Sequence, residues 1–344
     1  MKYIPVQILS EFITGLWSAW GGSRENAELM AKVYVGNTER QMGHHDIHNL
    51  PQRIDAIRNG IIDPKAEITL LSSYGAMESW DGHSGAGEVS AMHIMRRACD
   101  LAEKYGIGFS TVRNSNHYLS SAPYVRYASD RGFVGLILAK AAPTMGMPGQ
   151  KGNLIGQSPM GYAFPTGADP AMLDICLAYI AHEPLKLLAE KDGSVPAHYG
   201  VDKNGNPTTS ARELLSGTKY PIGEHKGFGL ALLSELLTGV FSSGAILDED
   251  ENDQPYRGMT HTAIAVKTDA LMDTNTYRKR SDELVRRLRA RGENLHVPGD
   301  GSWEKMRKTE ETGFSHMEDD LLVKLNAYAK DAPEGFTGNL LPTK

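Results

Sequence analysis

The sequence predicts an α/β protein in which a helical part built from both chain ends surrounds a central α/β part. Three observations carry this. The first 60 residues have helical periodicity, short β-type runs flank a helix after Gly106, and helical spacing returns in "MEDDLLVKLNAYAK" near the end.

In the N-terminal part Ser23 is the expected N-cap, with Glu25 in the first turn, where the helix dipole favours an acid. Ala27, Met30, Ala31, Tyr34 and Val35 then share one face. A second helix is expected over Ile47 to Arg58, stopping at Gly60. A third runs from Glu88 to Tyr105 with Ala91, Ile94, Met95, Ala98 and Ala102 inward and Gly106 as its stop. "IGFSTVRNS" and "GFVGLILAK" read as strands separated by a helix carrying Tyr124, Ala128 and Gly132. The Gly- and Pro-dense stretch from Ala141 to Pro170 reads as irregular, "DKNGNP" (202–207) as a turn, and "THTAIAVKTD" (260–269) as a half-buried strand. No internal repeat or low-complexity linker interrupts the chain. The helical region is assigned to 1–75 plus 305–344, and the α/β region to 76–304.

Composition bounds the function. With 40% hydrophobic and 23% charged residues the chain is of ordinary soluble type. A formal charge of −6 gives no pull toward nucleic acid or an anionic membrane. The basic run "RKRSDELVRRLRAR" (278–291) reads as a solvated helix face. Cys99 and Cys176 form no C-x-x-C pair, which argues against a disulfide framework or a cysteine zinc site. The polar residues inside the apolar start do not make a signal-peptide core, and no run is long enough to span a bilayer. A cytoplasmic protein is expected.

Among the motifs, "GHSGAG" (82–87) lacks dinucleotide-fingerprint spacing, and there is no P-loop. "DEDENDQPYRGM" (248–259) starts like a calcium loop but has Asp253 where Gly is needed and Met259 where Glu is needed. It is read as a solvated acidic loop. "PIGEHKGFGLALLSELL" (221–237) clusters Gly223, Gly227 and Gly229 with Lys226 before a helix whose apolar face is Leu230, Leu233 and Leu237. Bare amides and a lysine there suit a phosphate; close helix packing explains the glycines equally well. "RNSNHYLSS" (113–121) puts an imidazole at a strand end, a common active-site layout and also a common structural one. "GHHDIHNLP" (43–51) spaces His44 and His48 at i, i+4 on a helix, which is metal-ligand spacing without the Glu of H-E-x-x-H.

In order, these motifs resemble the malate/L-lactate dehydrogenase family, the ureidoglycolate dehydrogenase, sulfolactate dehydrogenase and 2,3-diketogulonate reductase type. Its S-H-G-x-x-R-L-P aligns His45 with the family histidine through Leu50-Pro51. "NSNH" supplies His117. Gly156-Gln157-Ser158-Pro159 stands for G-T-N-P and Asp174-Ile175-Cys176 for D-M-A. "DKNGNPT", "HKGFGL" and "VPGD" (297–300) follow in register.

The resemblance implies a non-Rossmann fold with a mixed, largely antiparallel sheet, a homodimer, a nicotinamide cofactor (NAD or NADP) bound by the α/β region, and no metal. It implies hydride transfer to a carbonyl or imine carbon of a 2-oxo acid, a keto-sugar acid or a cyclic imino acid. His117 and His45 are then the catalytic pair, with either as acid/base. Asp174, Ile175, Cys176, His225, Lys226, Gly299 and Asp300 are the implied cofactor contacts. Departures concern the substrate. His44 and Asp46 replace the Ser and Gly around His45, Asn49 replaces the carboxylate-gripping Arg, and Lys140 stands where Asn is usual. Tyr118-Leu119 replaces aromatic-Gly. Lys140 or Arg53 is the candidate replacement cation beside His44 and Asn49. The alternatives are a reductase of a neutral ketose or polyol, and a catalytically silent dinucleotide-binding protein.

Overall fold

In the computed structural model, residues 2–249, 258–333, 336 and 338–340 are described. A seven-stranded sheet runs in the order Thr69–Tyr74, Met77–Asp81, Ile107–Ser115, Met259–Lys267, Phe133–Ala139, Met160–Phe164, Ala171–Ile175. Every neighbouring pair is antiparallel except Met77–Asp81 with Ile107–Ser115, so the sheet is mixed and largely antiparallel, as expected. Met259–Lys267 lies at its centre and is buried at Thr260, His261, Thr262, Ala263 and Ala265, more fully than the half-buried strand expected, because it is flanked by strands on both sides.

Helix Gly87–Tyr105 packs on this sheet through Ala91, Ile94, Met95, Ala98 and Ala102, all fully buried, and ends on Gly106 in the left-handed region. Small residues on both sides allow close approach. A Cβ at Gly108 would stand 2.0 Å from the Ala98 carbonyl oxygen. Burying a larger side chain there would force the layers apart.

Ser23 caps helix Arg24–Glu39 by accepting from Asn26 N at 3.2 Å, and its five expected core residues are buried. Two features differ from expectation. A short strand, Lys2–Pro5, pairs antiparallel with Phe314–Met317, joining the two chain ends; four residues carry too little pattern to be read without their partner. The helix expected from Ile47 is regular only over Leu50–Arg58, with Pro51 in its first turn, and is preceded by 3₁₀ turns at Gly43–His45 and Ile47–Asn49. Helix Asp319–Lys330 closes the helical part, where Tyr328 donates to Asp55 at 2.6 Å.

A second sheet of four short strands, Gly200–Val201, Thr218–Lys219, Pro143–Met145 and Ile155–Gly156, gives order to the Gly/Pro-rich stretch. The basic run lies on helix Thr274–Arg289, largely exposed, with Glu283 pairing with Arg286 and Arg287. Most of the acidic loop at 248–259 lies outside the described residues.

Candidate active site

The backbone decides how the histidine cluster is used. Asp46 is extended between the two 3₁₀ turns, so His44 and His48 do not share a helix and the i, i+4 metal spacing is not realised. The nearly buried Asp46 carboxylate accepts from His48 N at 3.1 Å and pairs with His48 Nδ1 at 2.6 Å. His48 Nε2 reaches Glu318 at 3.0 Å, tying this loop to the C-terminal helix. His44 and His45 turn the other way, their ring centroids 3.9 Å apart. His45 and His117 lie 5.2 Å apart, so two residues distant in sequence form one imidazole pair.

A sealed frame fixes that pair. Asn37 Nδ2 donates to the His45 carbonyl at 2.6 Å, and Ser120 Oγ donates to Asn37 Oδ1 at 2.9 Å. Arg40 donates to both Asn37 Oδ1 and Ser120 Oγ. On the other side Arg53 donates to Glu88 at 2.9 Å and to the His117 carbonyl at 2.5 Å. His261, fully buried, donates from Nε2 to the Asn116 carbonyl at 2.8 Å, and its ring stands edge-on to Tyr118. Leu119 N donates to His117 Nδ1 at 3.1 Å, which places the ring proton of the neutral tautomer on Nε2.

Burial pushes all three imidazoles down: His45 to about 3, His117 well below its ordinary value, and His44 in the same direction. For His45 and His117 the neighbouring imidazoles and Arg53 add to the effect. The rings are therefore neutral near pH 7, poised to take a proton or to donate a hydrogen bond.

The three candidate cofactor segments meet at one strand and its continuation. Ile222 N donates to Leu177 O at 2.8 Å and Gly223 N to Tyr179 Oη at 3.2 Å, so the segment before His225 runs along the residues that follow Cys176. Met172 N donates to Pro298 O at 2.8 Å, docking the 297–300 loop on the same strand. His225 and Lys226 are exposed at the start of helix His225–Glu235. Gly223 adopts a φ of +61°, and a Cβ at Gly229 would meet open space, leaving this helix start accessible. An exposed lysine beside bare backbone fits a dinucleotide phosphate.

Some predicted roles change. Arg53 is only 4% exposed and committed to Glu88 and His117, so it supports the histidine and is not an open anion clamp. The Asp174 carboxylate accepts from Ser121 N and Ala122 N, holding the start of helix Ala122–Asp130, and Asp300 pairs with Arg289. Both side chains act within the protein; what remains for a ligand is their backbone and the neighbouring Ile175, Cys176 and Gly299. Lys140 is buried at the end of Phe133–Ala139, its amide donating to Thr260 O, and Asn49 donates to Gln52. The apolar face read from the sequence is exposed at Leu230 and Leu233. The helix buries Gly227, Ala231, Ser234 and Glu235. Asn37, Arg40, Glu88, Ser120 and His261 were not legible as site residues, since their partners lie far along the chain.

The family model for malate/L-lactate dehydrogenase matches residues 4–326. The chain belongs to this family. It is similar to malate/(S)-sulfolactate dehydrogenase of Methanothermus fervidus, at 27% identity over 93% of this chain and 95% of that one. It is also similar to 2,3-diketo-L-gulonate reductase of Mannheimia succiniciproducens, at 30% identity over 84% of this chain and 86% of the relative. In fold it matches delta1-piperideine-2-carboxylate reductase of Pseudomonas syringae with a TM-score of 0.88, at 24% identity over 96% of this chain and 100% of that one. Membership makes this a dehydrogenase or reductase. Against the family's aromatic-Gly pattern, Leu119 holds a φ of +67°, a backbone that suits glycine and costs a leucine about 1–2 kcal/mol. Its buried side chain offsets that cost, and the turn aims its amide at His117.

Proposed function

We propose that the protein catalyses reversible hydride transfer between NAD(P) and the carbonyl or imine carbon of a carboxylate-bearing substrate: a 2-oxo acid, a keto-sugar acid or a cyclic imino acid. The observation that carries this is the neutral His45–His117 pair, 5.2 Å apart, within a chain of dehydrogenase type. A nicotinamide, when bound, would supply or accept the hydride.

The chain's own residues handle the proton. A neutral His117 offers Nε2–H to the substrate oxygen and stabilises negative charge developing there. Two imidazoles this close do not both become imidazolium near neutrality, so when one ring takes an extra proton the other stays neutral as its hydrogen-bond partner. The Asn37 and Arg53 hydrogen bonds keep both rings oriented. Lys140 is the proposed cation for the substrate carboxylate, with His44 and Asn49 as neutral donors. Ile175, Cys176, His225, Lys226 and Gly299 are the proposed dinucleotide contacts, with the backbone of Asp174 and Asp300.

A homodimer is part of this reading. Leu230, Leu232, Leu233, Leu236, Val240 and Phe241 are each between 43% and 56% exposed on one helical stretch, an apolar area that a second copy would cover. No described helix is long and apolar enough to cross a membrane. The free cysteines fit the cytoplasm. The second reading, reduction of a neutral ketose or polyol, is favoured by the amide at Asn49 and the commitment of Arg53 to Glu88.

The test is consumption of NADH and of NADPH with 2-oxo acids, diketo-sugar acids, cyclic imino acids and neutral ketoses, for wild type, Asn49→Arg, His45→Ala and His117→Ala. Turnover with one carboxylate class is expected, lowered about 10²-fold or more in either histidine variant. Near-normal turnover in both variants removes the catalytic pair. Turnover of neutral ketoses alone transfers the assignment to the second reading.

A further inference from the structure

Every buried arginine described above has its charge or its donors answered. Arg53 has Glu88, and Arg40 has Asn37 and Ser120, with the Asp174 carboxylate also acting on its charge. Lys219 differs. It lies on strand Thr218–Lys219 and is only 4% exposed, yet its Nζ makes one hydrogen bond, to the neutral Gln157 Oε1 at 3.2 Å. Among the described residues no carboxylate acts on it; only Cys176 does. An ammonium carries three donors, and a buried one without an opposite charge is expensive to keep. Burial pushes Lys219 down to about 8, with only the Cys176 thiol working the other way. The positive field extends to His182, whose imidazole is lowered by burial and then by Lys219.

The position of this cation is informative. Gln157 belongs to the Gly156–Pro159 motif, and its carbonyl accepts from Leu177 N at 2.7 Å. Lys219 therefore touches the motif bonded to the residue after Cys176, while His182 is also among the groups acting on His44. A lysine here puts positive charge beside the Gln157–Leu177 junction.

We infer that Lys219 is the cation of an anion subsite in this site, binding a ligand oxyanion (carboxylate, sulfonate or phosphate) whose charge the protein does not itself supply. The inference rests on the reductase reading for the source of the anion, which is either the substrate or a cofactor phosphate. A purely structural lysine predicts the reverse behaviour, since replacing it by a long apolar side chain would then leave binding unchanged.

The experiment compares wild type, Lys219→Met and Lys219→Arg. Affinity for NADH and NADPH is measured by fluorescence, and binding of malonate and inorganic sulfate by thermal-midpoint shift. Lys219→Met is expected to melt at or above the wild-type midpoint in the absence of ligand, because an uncompensated buried charge is gone. It should lose about tenfold or more in affinity for one class of probe, and Lys219→Arg should stay within about threefold. Loss confined to NADH and NADPH assigns the oxyanion to the cofactor; loss confined to malonate and sulfate assigns it to the substrate. Lys219→Met binding all four probes as wild type does overturns the inference, as does a wild type that binds none, or a lowered midpoint with equal loss in both variants. A wild type that binds the small anions and neither dinucleotide refutes the reductase reading, and the malonate and sulfate comparison still decides Lys219.

Discussion

Arg53 and Glu88 form an ion pair at 2.9 Å with both side chains sealed from solvent, and the same guanidinium holds the carbonyl of His117. The pair thus connects the packing of helix Gly87–Tyr105 to the position of a candidate catalytic ring. Glu88→Gln leaves the guanidinium buried without its opposite charge. A loss of about 3–5 kcal/mol is expected in urea unfolding, with a fall in turnover. The double variant Arg53→Met/Glu88→Leu should recover much of the stability and little of the activity. Equal stability of Glu88→Gln and wild type would show that the pair does not hold this frame.

The acid limb of the pH profile follows from the depressed imidazoles. With His45 at about 3 and His117 well below its ordinary value, the neutral, base-competent forms persist as the pH falls through 6.5. In the oxidation direction kcat/KM should stay flat through that region and fall only at distinctly lower pH. An acid limb centred near 6.5 would contradict the burial of the pair.

His48 has the opposite sign. Its hydrogen bond to Asp46 and its contact with Glu318 raise it to about 8, so the folded protein holds this proton more tightly than the unfolded chain. The resulting stability is complete below about pH 6.5 and is lost as pH rises through 8. The side chain is 41% exposed, so after solvent screening the contribution is at most about 1 kcal/mol. Thermal midpoints of wild type and His48→Gln should converge above pH 9. A gap that persists there would mean the contact acts through packing and not charge.

The exposed leucines give an assembly prediction. Leu233→Glu with Leu236→Glu places two carboxylates in the middle of the apolar helix face without touching the buried side of the helix. Sedimentation should show wild type as a dimer and the double variant as a folded monomer. A monomeric wild type at micromolar concentration would leave the patch unexplained by self-association.

What could be read from the sequence follows from the range of each interaction. Ser23, the Gly87–Tyr105 face and Gly106 are local, repeating signals, and the structure keeps them almost residue by residue. His45 and His117 stood out because "GHHDIHNLP" crowds three imidazoles together, "RNSNHYLSS" puts one at a strand end, and both histidines align with the family motifs. Asn37, Arg40, Glu88 and His261 sit inside ordinary helical or strand patterns and acquire meaning only through partners elsewhere in the chain: the His45 carbonyl, the Ser120 hydroxyl, the Arg53 guanidinium and the Asn116 carbonyl. The leucines at 230 and 233 have correct helical spacing, but periodicity identifies a stripe and not the surface it meets. Lys219 in "SGTKYP" carried no signal, since neighbouring residues do not reveal burial.

The pairing of Lys2–Pro5 with Phe314–Met317 also has a consequence for biogenesis. The ribosome makes one strand first and its partner only after the roughly 300 residues between them. Until then the opening helices lack the surface that Phe314–Met317 and Asp319–Lys330 provide, and Glu318 is absent from the histidine loop. The central sheet can assemble while the chain is still emerging, but the Glu318 contact to His48 must wait until that later segment has emerged. A nascent chain halted before residue 314 would therefore expose an apolar N-terminal segment, and that segment is where a chaperone would be needed.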